Sequence, residues 1–426
     1  MNKNDSERLE TILNNMGLQS TNKPEQASVI LLNSCSVRES AESRVYGQTH
    51  NLAKLKKHNP DLIIGVTGCM PGRDKDGKLR KKLPWVDLFF PNEEMIHLPQ
   101  WLSELNPDLR PTDLAEDYLS LRPNYHSAWQ AFVSIKTGCD LFCTYCVVPY
   151  ARGVAGDRAV KSILAEVNDL AKRGYKEVTL LGQITNHYQA PDPESFSKDN
   201  PYKKSDFAKL LWEVNQISGF ERLGWVAAHP IYMTDEVIDA LTLPKQINYL
   251  HLPIQSGNNE ILQKMNRRHD REFYLALIKK IRAKRPGIAI ATDIIVGFCG
   301  ETEAQFQDTL SLYKECDFDI AYPAQYSTRS GTVAAKQFMD DVPRAEKRRR
   351  WQVLQDLMEE VTWCKNQAYI GKKVSVLVDK YKDGWCFGNS SEMKLVKFKG
   401  EEALIGIIVE LEVCKADTWL LWGRML

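Results

Sequence analysis

The chain predicts an α/β protein in three parts: an N-terminal open parallel sheet domain over residues 1–123, a partial (β/α)6 barrel over 124–360, and a small C-terminal β-barrel over 361–426. Three observations carry this. Two short, almost wholly apolar runs that each end in a cysteine, Ala27–Cys35 and Asp61–Cys69, alternate with helical patterns. From about Tyr125, strand-like and helix-like segments alternate through six units, the order of a parallel sheet whose strands are joined by helices. After Gly371 the pattern changes to short alternating strands broken by Gly, Asn and Asp, as in a small barrel.

The first part opens on a helix, expected at about Asp5–Met16 and capped by Asn4 or Asp5. A strand buried on both faces of a parallel sheet loses the polar alternation of a half-exposed one. Ala27–Ser34 and Asp61–Gly68 therefore read as strands, separated by a helix at Glu39–Lys57. Each cysteine falls just past a strand end, where open α/β sheets gather their ligands. Cys35 and Cys69 thus face one crevice, with two buried structural cysteines as the alternative. The pattern of the other units predicts a strand ahead of the first helix, with a cysteine of its own. The numbering is then expected to start inside this unit, leaving Cys35 and Cys69 as two-thirds of a site. Polar, proline-containing sequence over 106–124 reads as a linker.

In the second part the expected strands are Phe132–Lys136, Glu177–Leu181, Leu223–Ala227, Ile247–Pro253, Ile288–Val296 and Ile320–Tyr326. Helices are expected between them at Ala159–Lys172, Asp206–Ile217, Arg271–Ala283 and Glu303–Cys316. Barrels of this kind bind ligands at the C-terminal strand ends. That rule selects Gln183, Asn186, His229, Gln255, Ser256, Asp293, Tyr326 and Ser327. A long helix from Arg344 to about Gln367 leads to the final barrel.

The 426 residues, 43% of them hydrophobic, are enough for two or three packed domains. The longest apolar runs are too short to cross a bilayer, and the polar Met1–Arg8 lacks the character of a signal peptide. Ten cysteines, several grouped as metal ligands, require a reducing compartment. Together these predict a cytoplasmic protein that does not meet a membrane. With 56 basic and 55 acidic residues the net charge is +1, which excludes binding of nucleic acid by bulk charge. The local candidates are Arg73–Lys82, Arg344–Arg350 and the lysines after Lys365, each with a solvated face as the alternative.

The most informative stretch is Cys139-Asp-Leu-Phe-Cys143-Thr-Tyr-Cys146. Its C-x3-C-x2-C spacing supplies three thiolates where a 4Fe–4S cube takes four, and the next cysteine is Cys299. One iron is thereby left open to a chelating ligand, the arrangement that radical S-adenosylmethionine (SAM) chemistry requires. The alternatives are a zinc ion with His126 or a distant residue as fourth ligand, and inert buried cysteines. The β-like run before the triplet, the aromatic Tyr145 inside it and the β/α pattern after it favour the cluster.

Together these features resemble the radical-SAM methylthiotransferase family over essentially the whole chain. The motifs are Leu32-Asn-Ser-Cys35-Ser-Val-Arg38, Gly65-Val-Thr-Gly-Cys69, Gly138-Cys-Asp-Leu-Phe-Cys-Thr-Tyr-Cys-Val-Val-Pro-Tyr-Ala-Arg-Gly153 and Leu180-Leu-Gly-Gln183, followed by His251-Leu-Pro-Ile-Gln-Ser-Gly257, Met265-Asn-Arg267 and Thr292-Asp-Ile-Ile-Val-Gly297. Ser-Val-Arg after Cys35 and Cys-Val-Val-Pro-Tyr after Tyr145 are similar to the MiaB type, which acts on N(6)-isopentenyladenosine next to the tRNA anticodon. The sibling types, acting on threonylcarbamoyl-adenosine or on a ribosomal-protein aspartate, carry other residues after the equivalent of Cys35. The resemblance implies an N-terminal cluster domain over 1–123, a radical-SAM core over 124–360 and a TRAM RNA-binding barrel over 361–426.

Carried onto this sequence, the resemblance implies that Cys139, Cys143 and Cys146 hold the 4Fe–4S cluster that binds SAM. Cys35 and Cys69 would be two of three ligands of an auxiliary 4Fe–4S cluster that holds the sulfur. The family's first ligand sits in a Cys-x-Met-Asn stretch, just after which Met1-Asn2 fall, so the set is incomplete in this chain. Tyr145, Gln183, His229, Gln255 and Asp293 are implied to bind SAM or substrate. Cys299 stands where the family has proline and is expected to pack in a turn. Cys316, Cys364, Cys386 and Cys414 match no ligand and read as structural.

Two SAM molecules are implied, one methylating the sulfur and one giving the radical that removes hydrogen from carbon 2 of the adenine. The implied partners are the tRNA anticodon stem-loop and an electron donor of flavodoxin or ferredoxin type, the protein itself being a monomer. The C-terminal barrel and the Arg344–Arg350 helix are expected to grip phosphates. The contrasting reading is an inactive RNA-binding scaffold.

Overall fold

The computed structural model describes residues 1–36, 39–110 and 117–426. Val37 and Arg38 of the Ser-Val-Arg motif, and residues 111–116 of the expected linker, lie outside the described residues. The chain divides into two compact units. The first comprises Met1–His126, Lys136–Gly156 and Ser327–Lys336; the second comprises Ser127–Ile135, Asp157–Tyr326 and Gln337–Leu426.

The first unit is built on a three-stranded parallel sheet in the order β1 (Val29–Ser34), β2 (Ile63–Gly68), β3 (Leu88–Phe90). All six residues of β2 are buried, which explains its unbroken apolar run: successive side chains enter opposite cores. Ile63 packs with Leu9, Ile12, Phe90 and Leu98, whereas Ile64 and Val66 pack with Val45, Met70 and Leu83. Helices α1 (Asn2–Asn15), α2 (Glu39–His58), α3 (Cys69–Arg73), α4 (Leu98–Leu105) and α5 (Val148–Ala151) complete the unit. β3 and α3 were not expected, because three to five residues are too few to show a period.

The second unit contains two three-stranded parallel ladders. The first is β4 (Gln130–Ser134), β5 (Glu177–Leu181) and β6 (Arg222–Trp225); the second is β7 (Tyr249–His251), β8 (Ala289–Val296) and β9 (Ile320–Gln325). A bridge between Leu223 and Gln246 joins them, so the six strands run in sequence order as a partial (β/α)6 barrel. Ladder pairing in β7 covers only Tyr249–His251, shorter than the expected Ile247–Pro253; a proline N cannot donate to a ladder. The main helices are α6 (Val160–Lys172), α7 (Asp206–Gln216), α8 (Asp235–Ala240), α9 (Asn259–Lys264), α10 (Arg271–Lys284), α11 (Glu303–Cys316) and α12 (Arg344–Gln367). Of these, α11 starts at a capping box between Thr302 and Gln305, which satisfies two otherwise orphaned donors.

The chain ends in a closed barrel of β10 (Lys373–Lys382), β11 (Trp385–Ser390), β12 (Leu395–Lys399), β14 (Leu421–Met425) and β13 (Ile408–Ala416), in that order. Its interior is filled by Val374, Val376, Val378, Cys386, Val396, Phe398, Leu411, Val413 and Leu421. The buried Arg222 of β6 donates to the carbonyls of Asn389 (3.0 Å) and Ser375 (2.6 Å). These bonds tie the small barrel to the larger one.

Candidate active site

In the first unit the sheet delivers two thiols to one level. Ser34 and Gly68 are register partners at the ends of β1 and β2, and Cys35 and Cys69 are the next residues. Ser34 Oγ donates to the Thr67 carbonyl (2.6 Å) and accepts from the Met70 N–H (3.2 Å). Gly68 has φ +103° and leaves no room for a side chain: a Cβ there would lie 2.2 Å from the Ser34 carbonyl oxygen. Only glycine serves at such a point. Arg73, four residues past Cys69, donates to Ser36 Oγ (2.5 Å) and to Glu42 (2.7 Å). It clamps the two cysteine segments together and is not a phosphate-seeking side chain. In the same basic run Arg80 donates to the carbonyls of Leu83 and Val86.

The C-x3-C-x2-C loop belongs to this unit. Its entry is fixed at Gly138 (φ +69°), where a Cβ would lie 2.0 Å from the Val154 carbonyl oxygen, and its middle turns through Phe142 at φ +48°. Cys139 N–H donates to the Gly153 carbonyl (3.3 Å) and Cys146 N–H to that of Cys143 (2.9 Å). Tyr145 is half-buried. The short helices that follow Cys69 and Cys146 pack on each other. They meet at Gly72, where a Cβ would lie 2.0 Å from the Ala151 carbonyl oxygen.

Behind these helices lies a buried polar network that the sequence did not reveal. Arg152 Nη2 donates to Asp5 Oδ2 (2.5 Å) and Asn2 Oδ1 (3.1 Å). Asp5 also accepts from Asn92 Nδ2 (2.8 Å) and from the Tyr118 hydroxyl. Arg152 hydrogen-bonds the Cys69 side chain as well, partly opposing the rise that burial imposes on that thiol.

Burial and the neighbouring Cys143, Cys139 and Cys69 push the Cys146 thiol up to about 12. Burial, then Cys143 and Asp140, raise Cys139 too. Crowded thiols of this kind are deprotonated by the metal they bind. Among the described residues no three His, Cys, Asp or Glu side chains converge as ligands of a single metal ion would, and His126 pairs with Glu10. An all-sulfur, soft donor set on one loop suits an iron–sulfur cluster.

In the second unit Gln183 lies two residues past β5 and is half-buried. His229, 4% exposed, is locked by Asn186: its N–H donates to Asn186 Oδ1 (2.9 Å) and its carbonyl accepts from Asn186 Nδ2 (3.0 Å). Gln255 is buried at φ +77°, a region costly for a residue with a Cβ, and is held there by backbone bonds to Asp293 and Ile295. β8 ends at Val296 as expected, which leaves Asp293 in mid-strand and not at the strand end where the rule put it. Beside it stand His251 and Tyr322, which the strand-end rule missed; the alternation of faces along β7 and β9 was the signal.

In the basic stretch on α12 three cations are paired with carboxylates. Arg350 is bound to Glu301 (2.9 Å) and Glu346 (2.8 Å), Arg349 to Glu303 and Glu346, and Lys347 to Asp340. These three cations fix the helix to the barrel, whereas Arg344 and Arg348 are exposed. Of the other cysteines, Cys299, Cys316 and Cys386 are buried as expected, whereas Cys364 and Cys414 are exposed and fill no core. Among the described residues no helix is long and apolar enough to cross a membrane.

Comparison with known proteins agrees with this chemistry. The Radical SAM superfamily profile matches residues 133–313, and that of the Uncharacterized protein family UPF0004 matches residues 1–91. A tRNA-2-methylthio-N(6)-dimethylallyladenosine synthase from Clostridium botulinum is 42% identical over 434 residues, covering 100% of this chain and 94% of the relative. The proteins of that name from Thermoanaerobacter sp. (41% identity; 100% and 90% covered) and Bacillus subtilis (40%; 100% and 84%) are similar. Among solved structures, the radical S-adenosylmethionine methyltransferase TsrM from Kitasatospora setae superposes with a TM-score of 0.53 at 14% identity, over 77% of this chain and 68% of that one. The cobalamin-dependent S-adenosylmethionine radical enzyme OxsB gives 0.52 at 12% identity, over 84% and 53%. These two bear on the fold. With 40–42% identity along its whole length and thiols disposed for a cluster, the chain belongs to the tRNA-2-methylthio-N(6)-dimethylallyladenosine synthase family of radical SAM enzymes.

Proposed function

We propose that this enzyme adds a methylthio group to carbon 2 of N(6)-isopentenyladenosine next to the anticodon of tRNA. Family membership makes it a radical SAM methylthiotransferase that uses an iron–sulfur cluster and SAM. The observation that carries the finer reading is the packing of the Cys69 helix against the Cys146 helix through Gly72 and Ala151. It sets two groups of thiols side by side in one unit. On this reading Cys139, Cys143 and Cys146 hold the SAM cluster, and Cys35 and Cys69 contribute to an auxiliary one.

When bound, the first cluster supplies the electron that cleaves SAM to a radical able to take hydrogen from carbon. The chain's own residues do the rest. Arg152, anchored on Asp5, holds a fixed positive charge against Cys69. Tyr145, Gln183, His229, Gln255 and Asp293 are assigned to SAM and substrate. Carbon 2 is covered while the adenine is stacked, so the base has to turn out, at low cost from a single-stranded loop. The C-terminal barrel, as an RNA-binding module, holds the anticodon stem-loop. The electron donor is of flavodoxin or ferredoxin type, and the working form is a monomer in the cytoplasm.

The test is a nucleoside digest, by mass spectrometry, of tRNA carrying N(6)-isopentenyladenosine after anaerobic incubation with the reconstituted chain, SAM and a strong reductant. The 2-methylthio nucleoside is expected, and Cys143→Ala is expected to abolish both it and 5′-deoxyadenosine. Tight tRNA binding with no 2-methylthio nucleoside would favour the inactive scaffold. 5′-Deoxyadenosine formation by Cys143→Ala would overturn the cluster assignment.

A further inference from the structure

The inner face of the larger barrel carries a group of polar and aromatic side chains that converge on one another. Register partners in parallel strands project to the same side of the sheet. Tyr249 pairs with Ala289, His251 with Ala291, Ala291 with Ile320, and Asp293 with Tyr322, so these residues share one face. Their neighbours Ile290, Thr292, Ile294 and Ala321 are at most 2% exposed; they form the helix-covered outer side. The face with Tyr249, His251, Asp293 and Tyr322 is therefore the inner one, and it is open: Tyr322 is 41% exposed and the Asp293 side chain 37%. Ala289 and Ala291 put only methyl groups between the larger side chains.

One atom of the group is also unsatisfied. Tyr249 hydrogen-bonds Tyr322, and the His251 ring meets Tyr322 edge-on at 5.9 Å. His251 Nε2 lies 3.1 Å from Asp293 Oδ2 but out of line with it. This shielded ring nitrogen has no hydrogen-bond partner among the described residues. An open aromatic face beside a carboxylate and an imidazole suits a flat base that presents a donor next to an acceptor. Adenine does so, with an exocyclic N–H beside a ring nitrogen, and N(6)-alkylation leaves one N–H in place. Carboxylate and imidazole N–H are the matching acceptor and donor.

We propose that Tyr249, His251, Asp293 and Tyr322 form an adenine-recognition patch inside the barrel. The ring stacks on Tyr322, Asp293 accepts the exocyclic N–H, and His251 donates to the adjacent ring nitrogen. This rests on the functional reading above, which supplies two adenine rings, that of the target nucleoside and that of SAM. The experiment is equilibrium binding to the reconstituted full chain of SAM, of an anticodon stem-loop carrying N(6)-isopentenyladenosine, and of the same stem-loop with an abasic site there.

Tyr322→Leu and Asp293→Asn are each expected to cost tenfold or more in one arm, while Tyr322→Phe, which keeps the ring, stays within threefold. Loss of the preference for the base over the abasic stem-loop, with SAM binding kept, assigns the patch to the substrate. Loss of SAM binding with that preference kept assigns it to the cofactor. Both arms within twofold in folded Asp293→Asn and His251→Phe chains would overturn the proposal. An unsubstituted chain that binds neither SAM nor the stem-loop would overturn the functional reading, and the patch with it.

Discussion

His229 and His269 show how burial can decide what a motif residue does. Burial, with Arg267 and His269 next in weight, takes His229 from an ordinary 6.5 down to about 2; burial and Arg267 take His269 to about 3. Both rings stay neutral in the folded chain across the physiological range, so neither serves as a cation for a substrate carboxylate or phosphate. Between pH 6.5 and these low values the unfolded chain binds protons that the native chain refuses. Stability is therefore complete above pH 6.5 and lost as pH falls, by up to about 1.4 kcal/mol per unit for each ring. From pH 7 to 5.5 the pair should cost roughly 2–3 kcal/mol, read as a falling urea midpoint, and His229→Asn with His269→Phe should flatten that decline. An acid limb as steep in the double variant would mean that carboxylates dominate it. His229 lies past the end of β6, the position the strand-end rule gave it. Its neutrality was not legible, because Arg267 and His269 come from another loop.

At the scale of elements, what the sequence showed was periodicity, and what it hid was close approach. The helices at Glu303–Cys316 and Arg344–Gln367 appear with the boundaries expected or nearly so, since each is long enough to display its period. The contact of α3 with α5 could not be read, because it depends on two short helices about eighty residues apart. Gly72 marks it: an added Cβ would also lie 2.8 Å from the Ala151 carbonyl carbon, and backbone has little freedom to give way. Gly72→Ala should therefore push the two cysteine segments apart and at least halve the iron retained per chain after anaerobic reconstitution. Gly47→Ala is the control. It lies within α2 with nothing within 4 Å of its added Cβ, and should leave iron unchanged while stabilising the chain by about 0.5–1 kcal/mol. Equal iron in both variants would show that the helix contact does not set the cluster sites.

At the scale of the whole molecule, a net charge of +1 has to be reconciled with an RNA substrate, and the proposal that the C-terminal barrel binds it can be tested on one face of that barrel. Register aligns Lys380, Phe387, Lys397, Trp422 and Lys415 in a row across all five strands, with Lys382, Trp385 and Lys399 in a second row. Lys397 and Lys399 lie 4.2 and 4.0 Å from the centre of the Trp385 ring, and Lys415 lies 4.7 Å from that of Trp422. Alternating cations and flat rings on one face suit phosphates and unstacked bases together. Sequence composition hinted at this face, but the alternation across strands needs the barrel's register. Ion pairing separates it from α12, whose Lys347, Arg349 and Arg350 are held by Asp340, Glu301, Glu303 and Glu346. Removing one cation from a phosphate should reduce the slope of log K against log salt by about 0.7–0.9. Lys397→Ala, Lys399→Ala and Lys415→Ala together should thus flatten the slope for anticodon stem-loop binding by about 2, and Trp385→Ala should weaken binding by about 1–3 kcal/mol without changing it. Arg350→Ala should instead lower the unfolding midpoint, because it strands the buried Glu301, and should leave the salt slope as it was. A slope that responded to Arg350 and ignored the three lysines would move the RNA face from the small barrel to α12.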